Sequence, residues 1–533
     1  MSIPHSTIYL LSDIPLNSTY EHTFYFDNVW DQRDYFLGKT VKRLNNYSYL
    51  RKERVIKIAG DIVNARSWSY LIYENADGKW FYNFINKVEY LNDNTVELHI
   101  ELDVIQTYMF DWELHQCFIE RTHTRTDKIG EHTVPEGLET GPLVELLYGG
   151  NYYNFSNLCI MVLTAVDKDG FNSRGTSYNG IYSGLTIYAV DRDKETSFNT
   201  WLREMETAGK IDGIVSIWMY PKELVRLKGS WTDGDILHEV TGWTDLVDFD
   251  VGDVDSVDGY TPLNNKLFTY PYSFLYASNN MGGSAVYRRE LFEKTSDGKF
   301  RFTLMGAYSP DSGVSLVPRQ YAENVGLSVE HALTMPPFPT CAWTGDAYKI
   351  WLAQNQSSRE LSLQQAKING AVGIVTAGAG VAGALMGAGG IGLGTAAGGL
   401  ATTYNAYKQI QGIMAQQEDM DVQPPQARGN HSANINLANR FHGFYVYHKS
   451  VSGRYALMID EYFTRYGYKV NTIERPSLKN RKKYTYIKTV GCTVSGPFCG
   501  EDQVRIQNIF DKGITFWADH QNFCSYTLNE LID

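Results

Sequence analysis

Few of the reactive or coordinating side chains fall at spacings that chemistry could use. His238-Glu239 opens like the zinc-peptidase motif H-E-x-x-H, but Gly242 stands where the second histidine has to be. Asp245, Asp248, Asp250, Asp253, Asp255 and Asp258 crowd one short run that could offer oxygen ligands to calcium. The EF-hand spacing and its closing glutamate are missing, so a solvated acidic loop is expected. His442 and His448 would share a face of an alternating strand, with no cysteine or carboxylate close by, and read as ordinary strand histidines. Lys479, Arg481, Lys482, Lys483 and Lys488, interleaved with Tyr484 and Tyr486, form the one strongly basic stretch, which could touch nucleic acid. In an acidic chain, a solvated face or a contact with an acidic neighbouring subunit is the expected reading. No nucleophile elbow, phosphate loop or paired-carboxylate signature occurs. The expectation is therefore no catalytic residue, no metal site, no cofactor and no enzyme.

The segment Ile368–Tyr407 carries a different potential. Between Lys367 and Lys408 there is no Asp, Glu, Lys, Arg or His, which leaves roughly forty residues, about twice what one helix needs to cross a bilayer. Val372, Ile374, Val375, Val381, Leu385, Met386, Ile391, Leu393 and Leu400 supply apolar surface. Gly378, Gly380, Gly383, Gly387, Gly390, Gly394 and Gly398 keep it pliable. Gly387-Ala388-Gly389-Gly390 offers a reversal between two apolar stretches, Ala371–Met386 and Ile391–Leu400.

Three readings compete. A buried core helix is opposed by the glycines, each costing about 1 kcal/mol relative to alanine. A flexible linker is opposed by the large aliphatic side chains. A conditional membrane segment fits best: Gly383/Gly387 and Gly390/Gly394/Gly398 have the four-residue spacing that lets helices approach closely in lipid, and no charge opposes insertion. The runs Gly378–Gly383 and Gly387–Gly392 also match G-x-G-x-x-G. A glycine-rich tract produces such matches by composition, and no acidic residue lies about twenty positions on to hold a ribose.

The elements around this tract are polar. Asp346–Lys367, with Ile350, Leu352, Leu361 and Leu363, reads as a long helix, and Tyr404–Met420 as a second one ending at Pro424-Pro425. The expected organisation is helix, apolar loop, helix. Upstream, Tyr70–Tyr73 and Trp80–Ile85 flank Asn75-Ala76-Asp77-Gly78 and predict a hairpin. Val88–Leu91 and Val96–Leu102 around Asn92-Asp93-Asn94 predict another. Residues 121–140 read as a polar loop, Thr200–Thr207 as a helix, and Met335–Pro339 as a break with three prolines. Downstream, strand patterning returns at Phe444–Tyr447 and Tyr484–Ile487, followed by a helix over Glu501–Phe510.

Bulk composition agrees with a β-rich α+β, multidomain chain. The 533 residues are 43% hydrophobic, 20% charged and 14% aromatic, with 37 tyrosines. Such length predicts about three or four domains. The formal net charge of -12 is a poor basis for tight nucleic-acid binding, but it suits a surface that DNA slides past. Cys117, Cys159, Cys341, Cys492, Cys499 and Cys524 are scattered and read as free thiols of a protein made in a reducing cytosol. Met1–His5 has neither a basic nor an apolar leader pattern, so no secretory signal is expected.

Several stretches resemble one family, in order along nearly the whole chain, with little between Gly141 and Leu263. They are Lys79–Tyr82, Glu101–Phe110, Glu136-Gly137-Leu138, Tyr270-Pro271-Tyr272, the Gly/Ala tract with its trailing Pro424-Pro425, Tyr466–Asn471 and Ile509–Thr515. On these residues the sequence is similar to the tail knob, or distal tail tube, proteins of small short-tailed bacteriophages (podoviruses, Picovirinae type) of Gram-positive hosts. The resemblance implies a homohexameric tube at the distal end of the virion tail, made in the host cytoplasm. Residues 1–135 and 431–533 would build the β-sheet tube wall, 136–340 a knob domain, and 341–430 the helix–apolar loop–helix insertion. The loops would plug the lumen and then form a pore in the host cytoplasmic membrane. Implied partners are upper tail or collar proteins, membrane lipid, and double-stranded DNA in transit, not bound sequence-specifically. The alternative is a receptor-binding or cell-wall-degrading tail-tip protein.

Overall fold

The computed structural model describes residues 7–45, 54–75, 77–170, 176–178, 181–183, 185–210, 213–243, 247–307, 312–338, 340–342 and 442–532. The chain is strand-rich and multidomain. Its described residues fall into two compact units, both discontinuous in sequence. The terminal unit draws on Met1–Pro142, Ser256–Tyr272 and Val451–Asp533; the middle unit draws on Leu143–Asp255 and Ser273–Ser450.

The terminal unit contains a six-stranded antiparallel sheet made wholly of N-terminal chain. Its order is Thr40–Leu44, Ile8–Ser12, Trp68–Glu74, Trp80–Asn92, Thr95–Leu102 and Val55–Ala59. The first expected hairpin is present, with Tyr70 opposite Phe84 and Tyr73 opposite Phe81. Gly78 takes a positive φ of 80° in its turn, a conformation glycine adopts at no steric cost. The second hairpin is also present, but Trp80–Asn92 is a single strand. The polar residues after Ile85 mark a register shift between Ile85 and Lys87 rather than a chain reversal. Along Thr95–Leu102 every second residue (Val96, Leu98, Ile100, Leu102) is buried, as strand alternation requires.

A second, five-stranded sheet joins the two ends of the chain. Its order is His22–Phe24, Ile514–Trp517, Tyr484–Val490, Cys117–Thr122 and Tyr468–Glu474; only the first pair is parallel. Two helices that strand patterning concealed belong to this unit. Val29–Leu37 starts at Asn28, whose side chain accepts from the Trp30 and Asp31 amides. Gly453–Tyr466 buries Ala456, Ile459 and Phe463 along one face and stops before Gly467, which has φ +63°. Aromatic residues in Tyr455–Tyr466 favour strands locally, but the three-and-four spacing of the buried positions prevails. The expected last helix runs from Gly500 to Lys512.

The middle unit holds three larger sheets. One pairs Gly443–Val451 with Leu143–Leu146, Tyr152–Asn154 and Ser273–Ser278, the last extended by Ser284–Tyr287. Another runs Val225–Leu227, His238–Trp243, Thr186–Asp191, Leu158–Thr164, Ile214–Pro221 and Thr340–Ala342. A four-stranded sheet runs Val247–Val251, Phe300–Gly306, Val314–Pro318 and Leu333–Thr334. The helix expected at Thr200–Thr207 forms the end of Glu195–Thr207, which presents Phe198, Trp201, Leu202 and Met205 to a core with Ile160, Val162 and Tyr188.

Candidate functional site

The apolar tract from Ile368 to Tyr407, with every membrane-active position read from the sequence, lies outside the described residues, as do both flanking polar helices and Pro424-Pro425. Among the described residues no helix is long and apolar enough to cross a membrane. What can be built from residues upward is the pair of flanks between which the tract is carried, both of them in the middle unit.

On the entry side, Thr340–Ala342 adds an edge strand to Ile214–Pro221, with Thr340 opposite Trp218 and Ala342 opposite Ser216. On the exit side, His442 is fully buried and its carbonyl accepts from the Phe155 amide at 2.8 Å. Gly443 then starts the strand that pairs with Tyr153 and Asn154. A Cβ on Gly443 would lie 2.2 Å from the Tyr153 carbonyl oxygen, so only glycine fits this close approach. The two flanks meet through side chains. The Phe338 and His442 rings lie 4.5 Å apart, and Phe155 and Tyr220 close the group at 5.7 Å and 5.8 Å from Phe338. The long excursion 343–441 therefore begins and ends at one aromatic cluster. Burial lowers the His442 imidazole to about 3, and neither ring nitrogen has a hydrogen-bond partner among the described residues. The ring behaves as a neutral part of the cluster. His448 is also buried; burial lowers it to about 4, and its Nε2 bonds the Gly252 carbonyl at 2.9 Å.

Most of the other charged groups singled out by sequence are paired inside their own unit. Where it is described, the aspartate run is a solvated loop only at Asp255 and Asp258, which are exposed outside the strands. Asp248 and Asp250 sit on the strand Val247–Val251, where Arg301 bonds Asp250 at 2.7 and 2.8 Å and Arg319 bonds Asp248 at 2.9 Å. Asp253 is held by Arg289 and Lys294. Strand pairing brings in these cations from residues remote in sequence, which no local pattern records. His238 contacts Asp233 at 3.0 Å. In the basic stretch, Lys479 pairs with Asp27, Lys482 with Glu530 and Lys488 with Glu120, while Arg481 donates to the Thr124 and Asn529 carbonyls. The partners lie in the same unit, so neither a free nucleic-acid patch nor a neighbouring subunit is needed to explain the stretch.

The stretches that carried the resemblance have structural work in the terminal unit. Asp103 caps the short helix Val104–Tyr108, accepting from the Ile105 and Gln106 amides and from the Tyr70 hydroxyl at 2.7 Å; burial raises its carboxyl to about 6. Gln106 donates to the Phe24 carbonyl, and Tyr108 donates to Asp502 of the last helix at 3.0 Å. The Glu136 side chain is fully buried between Arg121 and Lys266, and it accepts from the Lys469 amide at 2.9 Å. The Gly467 carbonyl accepts from the Arg121 guanidinium at 2.7 Å, and a Cβ on Gly467 would lie 2.3 Å from the Thr122 carbonyl oxygen. Asp460 accepts from Tyr260, Leu263 and Asn264, fixing the 256–272 segment to the helix Gly453–Tyr466.

Comparison with known proteins places the chain. A family model described as Bacillus phage phi29, tail knob protein gp9, C-terminal domain matches residues 244–530, and one described as Caudoviral major tail protein N-terminus matches residues 4–113. Tail knob protein gp9 of Bacillus phage phi29 is 25% identical over 99% of this chain and 98% of its own length. Tail knob protein gp9 of Bacillus phage B103 is 26% identical over 98% of both. The structure of the bacteriophage C1 tail knob protein, gp12, shares the fold with a TM-score of 0.62 at 14% identity, covering 99% of this chain and 100% of that one. The first family model spans more than half of the sequence, so the chain belongs to the tail knob family and is a structural protein of the virion tail.

Proposed function

We propose that six copies of this chain form the distal tail conduit through which the genome is ejected, and that the apolar tract is its membrane-penetrating part. The reading rests on one observation: a tail knob chain carries a tract without a single charged residue or histidine between Lys367 and Lys408, inside an excursion whose two flanks meet at Phe338 and His442. Such a tract can be hidden and later extended without disturbing the fold that carries it. Six tracts packed in a lumen shelter one another from water and plug the tube. Once released, they lower their free energy in lipid by roughly 25 cal/mol per Å² of apolar surface. The residues that would insert are those named above, from Val372 to Leu400.

In this reading the terminal unit supplies the tube wall and the middle unit supplies the knob from which the loops hang. The upper tail or collar contacts one end of the tube and the host cytoplasmic membrane the other. Double-stranded DNA passes without being read, so the acidic charge keeps it from adhering. The protein acts mechanically, without catalytic residue or cofactor. Deleting Gly370–Gly399 tests this. The expected variant still gives six-fold rings in electron micrographs but no longer releases dye from liposomes. Undiminished release by the deletion would sink the membrane role, and a monomeric parent chain would sink the conduit.

A further inference from the structure

The outer face of the six-stranded sheet carries a group that neither the fold nor the proposed conduit uses. Strands Trp80–Asn92 and Thr95–Leu102 pair with Lys87 opposite His99 and Glu89 opposite Glu97. All four point away from the core, because Val96, Leu98 and Ile100 fill the other face. The register sets two carboxylates directly across from each other, an arrangement that costs free energy unless a cation lies between them.

His99 lies between them. Its Nε2 is 3.4 Å from Glu89 Oε2 and 3.5 Å from Glu97 Oε1, and one ligand atom from each of the three residues falls within 4.8 Å of the others. That nitrogen is screened from solvent yet makes no well-formed hydrogen bond. A tetrahedral ion with bonds of about 2.0–2.1 Å holds its ligand atoms about 3.3–3.4 Å apart. The two nitrogen–oxygen separations match that edge length, and rotation of the glutamate side chains closes the third. One imidazole with two carboxylates suits a zinc-type ion, whereas calcium and magnesium take oxygen ligands throughout. Two carboxylates also balance the charge of a dication. Lys87 reaches Glu89, and Lys57 Nζ lies 3.5 Å from Glu97 Oε2, so both lysines compete with an ion for these oxygens.

We propose that Glu89, Glu97 and His99 form a three-ligand site for a zinc-type dication, with water in the fourth position, that clamps this hairpin. Sequence spacing does not reveal it, because Glu89 reaches the other two ligands through strand register.

The test is calorimetric titration of the chelator-treated full chain with Zn²⁺, with the exposed Cys499 and Cys524 alkylated so that thiols do not compete. The expected result is one saturable site per chain. Glu97→Gln and His99→Gln should each weaken it by at least about a hundredfold, beyond what loss of an outer-shell partner costs. Lys87→Met should keep or tighten binding. Cobalt loading should give a four-coordinate visible spectrum that His99→Gln changes. Circular dichroism of the metal-free variants checks that these surface substitutions leave the fold intact. Absence of saturable binding by the parent chain, or equal affinity in folded Glu97→Gln and His99→Gln, overturns the proposal.

Discussion

In the terminal unit, buried polar side chains meet partners from distant parts of the chain: Glu136 with Arg121 and Lys266, Asp460 with Asn264, Tyr108 with Asp502. In the middle unit, the flanks of the long excursion meet through rings, and neither ring nitrogen of His442 has a hydrogen-bond partner among the described residues. The first arrangement is specific and intolerant, because a buried charge that loses its partner keeps its full desolvation cost. The second is held by apolar contact, which is less directional and yields gradually. The flanks of the excursion therefore lack the paired charges that fix Glu136 and Asp460.

Substitutions can break this contrast. Glu136→Ala leaves Arg121 and Lys266 buried without their counter-charge and should cost about 3–5 kcal/mol. Chemical denaturation followed by hydrogen exchange should show the loss in the terminal unit, with the middle unit's protection unchanged. Phe338→Ala should cost about 3–4 kcal/mol by leaving a cavity, with the loss confined to the middle unit. Equal loss in both units from either variant would erase the distinction.

Acid sharpens it further. Burial holds His123 at about 3, His442 at about 3 and His448 at about 4, against 6.5 for an ordinary histidine. Below pH 6.5 the unfolded chain takes up protons that the folded chain refuses, so stability falls as pH drops from 6.5 towards 4. The slope is about 1.4 kcal/mol per pH unit for each histidine well inside that window. His123 is fixed in its neutral form because its Nδ1 accepts from the Tyr486 amide while Nε2 faces the Thr464 carbonyl. In the terminal unit, burial also lowers His22 and His520, while it raises Asp103 and Asp127, which take protons in the fold and offset part of that loss. The middle unit has two histidines against the raised Glu223. Calorimetry at pH 7 and pH 5 should show the transitions of both units moving down. The smallest effect is expected at Lys482→Ala. Its partner Glu530 is exposed and screened by solvent, so the denaturation midpoint should hardly move.

Much of the sheet framework was legible because it is local. The hairpins at Tyr70–Ile85 and Val88–Leu102 announce themselves by alternation and turn residues, and both are present. The helices Val29–Leu37 and Gly453–Tyr466 were not read, although Asn28 and Gly467 are capping signals, because Trp30, Tyr35 and Phe36 in the first and Tyr455, Tyr462, Phe463 and Tyr466 in the second are strand-favouring residues. The neutralisation of Asp248 and Asp250 could not be read at all: Arg301 and Arg319 reach them only after strands pair. The apolar tract is the reverse case. Its absence of charge is plain in the sequence, while its placement lies outside the described residues.

The sheet that joins the chain ends also sets a timetable. Cys117–Thr122 lies between Tyr484–Val490 and Tyr468–Glu474, so both of its neighbours leave the ribosome after the entire middle unit. At about 5–20 residues per second, that strand waits on the order of tens of seconds with two bare edges. The middle unit can complete itself during the wait. A ribosome that stalls before Tyr468 releases a chain whose middle unit is finished and whose five-stranded sheet is still open, a product that quality control can recognise by its unpaired strand.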